Sequence, residues 1–170
     1  RQRQMCIRDR SNMVHLLRNF AEDRGCGHAS AVLRPEEQRL DGLHVLLVED
    51  NEINQEIAKE LLLMEGASVD VADNGEQALD IFARSEEGYY QLVLMDIQMP
   101  VMDGYTATAA LRSLRRDDAK TAIILAMTAN VFSDDVIKAE ASGMNGHISK
   151  PFDPDRLYAM IAASCHRKRG

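Results

Sequence analysis

The sequence predicts an α/β fold, a doubly wound parallel sheet of five strands with helices on both faces. Two observations carry this reading. Short apolar runs with little alternation recur between residues 44 and 149, as suits strands buried on both faces. Amphipathic helical patterns separate these runs, and right-handed crossovers then place helices on both sides of one twisted sheet.

The elements follow in order. The run His44-Val45-Leu46-Leu47-Val48 stops at Glu49-Asp50. A helical pattern covers 52–65, where Ile53, Ile57, Leu61 and Met64 form one stripe with Ala58 and Leu62 beside it. Glu65-Gly66 ends that helix, and a short strand follows at Ser68 to Val71. A second helix is expected at 75–85, then Gln91-Leu92-Val93-Leu94-Met95 stops at Asp96. A third helix at 105–115 precedes Ala122-Ile123-Ile124-Leu125-Ala126-Met127, which stops at Thr128. A fourth helix at 133–142 leads to His147-Ile148-Ser149, which stops at Lys150-Pro151, and a last helix is expected at 154–165.

The first 42 residues form an N-terminal extension. Residues 1–10 show no period and resemble translated sequencing-adapter sequence, so no element is expected from them and the chain is expected to be truncated. Met13, Leu16, Leu17 and Phe20 sit at helical spacing within 11–20, read as a linker helix or the last helix of a preceding domain. Residues 21–42, with Gly25, Gly27, Ser30 and Pro35, read as a linker, and 43–166 as the folded domain. The tail at 167–170 is basic and reads as a solvated terminus.

Composition narrows the function classes. The 170 residues carry a net charge of −7 and are 45% hydrophobic, enough for one core plus an appendage. Residues 1–40 hold 8 basic and 5 acidic side chains, so the body is near −10, which argues against nucleic acid as a direct partner. Cys6, Cys26 and Cys165 have no metal-ligand spacing, and a reduced, cytoplasmic setting is expected. No apolar stretch approaches the roughly 20 residues that span a bilayer; any membrane anchor would belong to a missing upstream part.

In open parallel sheets ligands bind beyond the carboxyl ends of the strands. Glu49-Asp50, Asp96, Thr128 and Lys150 all fall there. Two carboxylates about 4 Å apart repel by roughly 4 kcal/mol at an effective dielectric near 20, so three of them call for a cation or protons. Oxygen ligands without His or Cys suit Mg²⁺, which commonly takes one or two carboxylates, waters and phosphate oxygens.

The segments Val-Glu-Asp-Asn-Glu-Ile-Asn-Gln at 48–55 and Met-Asp-Ile-Gln-Met-Pro-Val-Met-Asp-Gly at 95–104 stand at two of these strand ends. With Met127-Thr128-Ala129-Asn130 and Ser149-Lys150-Pro151-Phe152, they resemble the receiver domain of two-component signalling, in the family's order. The first of them, with Gly143 to Pro151, further resembles receivers attached to hybrid sensor histidine kinases. The resemblance implies a flavodoxin-like strand order 2-1-3-4-5. It implies that Asp96 is the phosphoacceptor, attacking a phosphohistidine of a histidine kinase or a histidine phosphotransfer domain. It also implies that Asp50, Asp96 and the backbone carbonyl of Gln98 bind Mg²⁺ directly, with Glu49 acting through water. Lys150 would balance charge, and Thr128 would hydrogen-bond a phosphoryl oxygen.

Further positions follow from the same resemblance. Lys150-Pro151 resembles the family's cis peptide. His147 stands where the family usually has an aromatic switch residue, against a plain reading as strand-edge packing. Gln98 and Asn130 flank the phosphoryl site and would tune its hydrolysis, while Pro100 and Asp103-Gly104 read as a turn into the next helix. On this reading the domain is not itself an enzyme but assists its own phosphorylation and dephosphorylation. Two alternatives remain. One is a phosphohydrolase with an aspartyl-phosphate intermediate, although such enzymes typically carry a second Asp two residues after the nucleophile, where this chain has Gln98. The other is a receiver-like interaction module that is never phosphorylated. No Gly-rich phosphate loop supports ATP binding, and the absence of sequence for a DNA-binding domain after the last helix disfavours a transcription factor.

Overall fold

The apolar runs pair side by side because each is too apolar to leave a face wet. They form β1 (His44–Val48), β2 (Ser68–Ala72), β3 (Leu92–Asp96), β4 (Ile123–Thr128) and β5 (Gly146–Ser149). Every pairing is parallel, and the order is β2-β1-β3-β4-β5, as expected. The computed structural model describes residues 40–129 and 133–168. The expected helix at 11–20, nearly all of the 21–42 linker and Asn130 lie outside the described residues.

Helices α1 (Glu52–Met64), α2 (Gly75–Arg84), α3 (Gly104–Arg112), α4 (Asp117–Thr121), α5 (Ser133–Ala141) and α6 (Pro154–Lys168) connect or follow the strands. Alternate strand residues face opposite layers. Val45, Leu47, Leu92, Leu94, Leu125 and Met127 pack with Ala58 and Leu62 of α1 and Leu157, Tyr158 and Ile161 of α6. Leu46, Val48, Val93, Met95, Ile124 and Ala126 pack on the other face, with Phe82 of α2 and Leu111 of α3. Each fully buried Leu, Ile or Val contributes about 1.5–3 kcal/mol relative to exposure.

Four helices start on a side chain that satisfies otherwise unpaired backbone donors, α6 among them, where Asp153 accepts from Arg156 N at 3.1 Å. Asn51 accepts from Ile53 N and Asn54 N at 3.0 and 3.1 Å. Asn74 accepts from Gln77 N at 2.9 Å, and Asp103 from Thr106 N at 2.8 Å. The expected stop after α1 is built on Gly66, whose φ of 89° is a left-handed conformation that glycine adopts without penalty.

The structure differs from the sequence reading in several places, one being the end of α3 at Arg112 rather than 115. The stripe on α1 is rotated: Ala58 and Leu62 are buried, whereas Ile53 is 64% and Met64 56% exposed. The Ala58–Leu62 edge of the helix is fully buried, with Leu61 partly buried against the same core. Helix α4 was not expected, because five residues, Asp-Asp-Ala-Lys-Thr, are too few and too polar to show a period. Helix α6 runs to Lys168, past the expected end at 165.

Arg116, just before α4, locks the end of α2. Its Nη1 donates to Phe82 O at 2.7 Å and Ser85 O at 2.9 Å, and its Nη2 to Glu86 O at 3.0 Å. Nε and Nη2 also grip Asp118 at 3.0 and 2.7 Å. A cation on the last carbonyls of a helix complements its dipole. The Arg116 hydrogen bond, aided by Gly88 N and opposed by burial, holds the Asp118 carboxyl below the usual carboxylate range. Because the folded pKa is depressed, this stabilisation is complete above the unfolded value of about 3.9 and is lost as pH falls through the folded value. Arg116→Ala is expected to cost about 2 kcal/mol at pH 7. Urea denaturation at pH 7 and pH 3 checks it: the deficit should shrink at the lower pH.

Candidate functional site

The carboxyl ends of β1, β3, β4 and β5 lie side by side, and register fixes their heights. Asp96 pairs with Met127, Thr128 with Ser149, and Lys150 N donates to Thr128 O at 2.7 Å. Glu49 and Asp50 leave β1 at the same level, with Glu49 N bonded to Ala72 O at 3.1 Å. The result is a cleft of about 260 Å³ whose lining includes Glu49, Asp50, Asp96, Gln98, Thr128 and Lys150.

Carboxylate oxygens of Glu49, Asp50 and Asp96 lie within 4.8 Å of one another. Glu49 and Asp96 are buried, 1% and 6% exposed, while Asp50 is exposed. Lys150 Nζ bridges the two buried acids, 2.6 Å from Glu49 Oε2 and 2.8 Å from Asp96 Oδ2. Asp96 Oδ1 accepts from Gln98 N at 3.3 Å. One ammonium against three carboxylates leaves the cluster short of positive charge, and Glu49 Oε2, ion-paired to Lys150, lacks a well-aligned hydrogen bond. Among the described residues no His or Cys joins the group, so the donor set fits a hard, oxygen-seeking divalent cation such as Mg²⁺.

The loop after β3 aims the site. Gly104 N closes it on Ile97 O at 3.0 Å. A Cβ at Gly104 would overlap the carbonyl oxygen of Asp96, so only glycine lets α3 start this close to the strand end. Pro100 O accepts from Met102 N at 2.8 Å, and Val101 between them has φ 69° and is 79% exposed. That is a γ-turn, a strained conformation for a β-branched residue. The Lys150-Pro151 peptide is cis.

The model of the response regulator receiver domain matches residues 45–162. The chain belongs to the receiver domain family. This receiver is 37% identical to "Probable histidine kinase 2" of Oryza sativa subsp. indica, over 94% of the chain and 16% of the relative. It is 38% identical to "Hybrid signal transduction histidine kinase I" of Dictyostelium discoideum, over 69% of the chain and 7% of the relative. The chain thus spans less than a fifth of the length of these curated relatives. Among solved structures it is similar to the receiver domain of sensor histidine kinase PA1611 from Pseudomonas aeruginosa PAO1, which has a magnesium ion coordinated in its active site cleft. Identity is 33% and the TM-score 0.66, covering 74% of this chain and 98% of that one. It is also similar to a chain of the co-crystal structure of the Saccharomyces cerevisiae histidine phosphotransfer protein Ypd1 with the receiver domain of Ssk1. There identity is 32% and the TM-score 0.66, over 74% and 91% of the two chains.

Of the remaining candidates of this receiver, His147 sits apart from the acids and Gln98 beside them. His147 is half-buried on the outer strand β5, paired with Ala126, and is not part of the cleft lining. Gln98 lines the cleft and is exposed. Asn54 and Gln55 were missed as site residues. Asn54 Nδ2 donates to Glu49 Oε1 at 2.8 Å, and Gln55 Nε2 to Glu49 O at 2.6 Å. The available signal was their place in the first turn of α1, directly after the Glu49-Asp50 pair. No helix among the described residues is long and apolar enough to cross a membrane.

Proposed function

We propose that this receiver accepts a phosphoryl group on Asp96 from a phosphohistidine, in a Mg²⁺-dependent relay, and thereby changes a partner-binding surface. The ion pairs from Lys150 Nζ to both Glu49 and Asp96 carry this reading. They put a cation and a buried nucleophile at one point among three carboxylates. In the step itself an Asp96 carboxylate oxygen attacks phosphorus, the P–N bond to the imidazole breaks, and the imidazole leaves with that electron pair and takes up a proton. Lys150 offsets charge on the transferring group, and Thr128 donates its hydroxyl to a phosphoryl oxygen. Asp50, Asp96 and the Gln98 carbonyl would hold Mg²⁺ directly, with Glu49 acting through water. An ion held there would offset the negative charge of the carboxylates and of the phosphoryl oxygens.

The phosphoryl group adds charge and acceptor oxygens, to which Thr128 responds and His147 repacks. Gln98 and Asn130 set the rate of hydrolysis. The donor is a histidine kinase or phosphotransfer domain, as the Ypd1–Ssk1 pair suggests by analogy, and the work takes place in the cytoplasm. A hybrid kinase is the parent that the similarity to long kinases favours; its kinase activity would lie outside these residues.

Incubation with phosphoramidate, whose P–N bond stands in for phosphohistidine, tests the proposal. With Mg²⁺ the chain is expected to gain one phosphoryl group by intact mass, in a linkage cleaved by hydroxylamine. Labelling that is absent, or indifferent to a chelator, would overturn the reading.

A further inference from the structure

Glu49 has three side-chain torsions, and a carboxylate that acts on a cation must have them fixed. The structure fixes them from both sides. Lys150 Nζ lies 2.6 Å from Oε2, and Asn54 Nδ2 donates to Oε1 at 2.8 Å. Asn54 is itself aimed from behind, because its backbone N–H is held by the Asn51 cap at 3.1 Å. Its neighbour Gln55 grips the Glu49 carbonyl at 2.6 Å and Asp73 Oδ1 at 3.0 Å, so the first turn of α1 holds both main chain and side chain of Glu49.

We propose that Asn54 is a positioning residue that sets the Glu49 carboxylate for cation binding, an inference that rests on the receiver reading of this cleft. The residue type fits the task. A neutral amide adds no positive charge to compete with the cation and no negative charge to the three carboxylates present. Glu49 is only 1% exposed, so without Asn54 its Oε1 has little access to bulk water. Partners that orient metal-binding groups in this way are commonly worth 10- to 100-fold in metal affinity.

Calorimetric titration of the full chain with Mg²⁺ alone is the test. Asn54→Ala opens space for a water beside Glu49 Oε1, whereas Asn54→Leu fills it without a donor. Affinity is expected to fall about tenfold in Asn54→Leu and less in Asn54→Ala. Helix propensity gives no such loss, since both Ala and Leu favour a helix more than Asn does. In a Glu49→Ala background the effect of either substitution is expected to drop below about twofold, because the side chain that Asn54 positions is gone. Equal losses in both backgrounds, or affinities in the wild-type background within about twofold of the parent, would overturn the proposal. A parent chain that takes up no Mg²⁺ would instead overturn the receiver reading of the cleft, and this proposal with it.

Discussion

Asp96→Asn is expected to lower phosphoryl acceptance at least about 100-fold while leaving the fold intact, the rate loss corresponding to about 2.7 kcal/mol of activation free energy. The amide is nearly isosteric with the carboxylate but offers no anionic oxygen to attack phosphorus. Position 96 is 6% exposed and ends the central strand β3, so the substitution changes charge without opening a cavity. Its effect on stability should run the other way from its effect on chemistry. Carboxylate oxygens within 4.8 Å in the metal-free protein repel by roughly 3 kcal/mol per pair at an effective dielectric near 20. Removing one charge therefore relieves strain, partly offset by the lost 2.8 Å ion pair to Lys150. The melting temperature without Mg²⁺ is expected to stay level or rise. Intact-mass labelling with phosphoramidate and thermal denaturation give the two readings. Undiminished labelling of Asp96→Asn would place the phosphoryl group on another side chain.

Gly104→Ala is expected to destabilise the domain by about 3 kcal/mol and to slow labelling of Asp96 together with it. The new methyl group meets the Asp96 carbonyl oxygen and the Ile97 Cα, which are backbone atoms and cannot rotate away. Either α3 moves off the sheet or the end of β3 bends. The first loosens Ala107 and Leu111 from the core, and the second displaces the Asp96 carboxylate from Lys150. Urea denaturation gives the stability loss. A control at Gly42, where a Cβ would meet nothing within 4 Å, separates crowding from conformation. Gly42 has φ 75°, so Gly42→Ala should cost only the smaller penalty of that backbone. Normal stability and labelling in Gly104→Ala would show that the loop after β3 yields more easily than its hydrogen bonds imply.

Much of the fold was legible because a parallel sheet buried on both faces leaves an uninterrupted apolar signal. Leu92 to Met95 and Ile124 to Met127 could hardly be anything but inner strands, and both are completely buried. Helix faces were less legible. Ile53, Ile57, Leu61 and Met64 have helical spacing, yet the helix buries its Ala58–Leu62 edge and leaves Ile53 and Met64 exposed, with Leu61 partly buried. Periodicity gives the existence of a helix but only roughly the angle at which it packs. Arg116 and α4 left no sequence signal either. The partners of Arg116 at Phe82 to Glu86 are backbone carbonyls about 30 residues away, and carbonyls look the same in every residue.

Sequence by itself determined the element order, the parallel sheet, the family and the identity of the groups at the strand ends. These follow from local patterns of apolar and polar residues, which act at the range of a few positions. Tertiary structure decided what those groups do to one another. It put Lys150 between Glu49 and Asp96, gave Gly104 its contact with the Asp96 carbonyl, and recruited Asn54 to Glu49. Distances of 2.6–2.8 Å depend on strand register and crossover geometry, which bring together residues as far apart as 49 and 150. No local pattern carries that information.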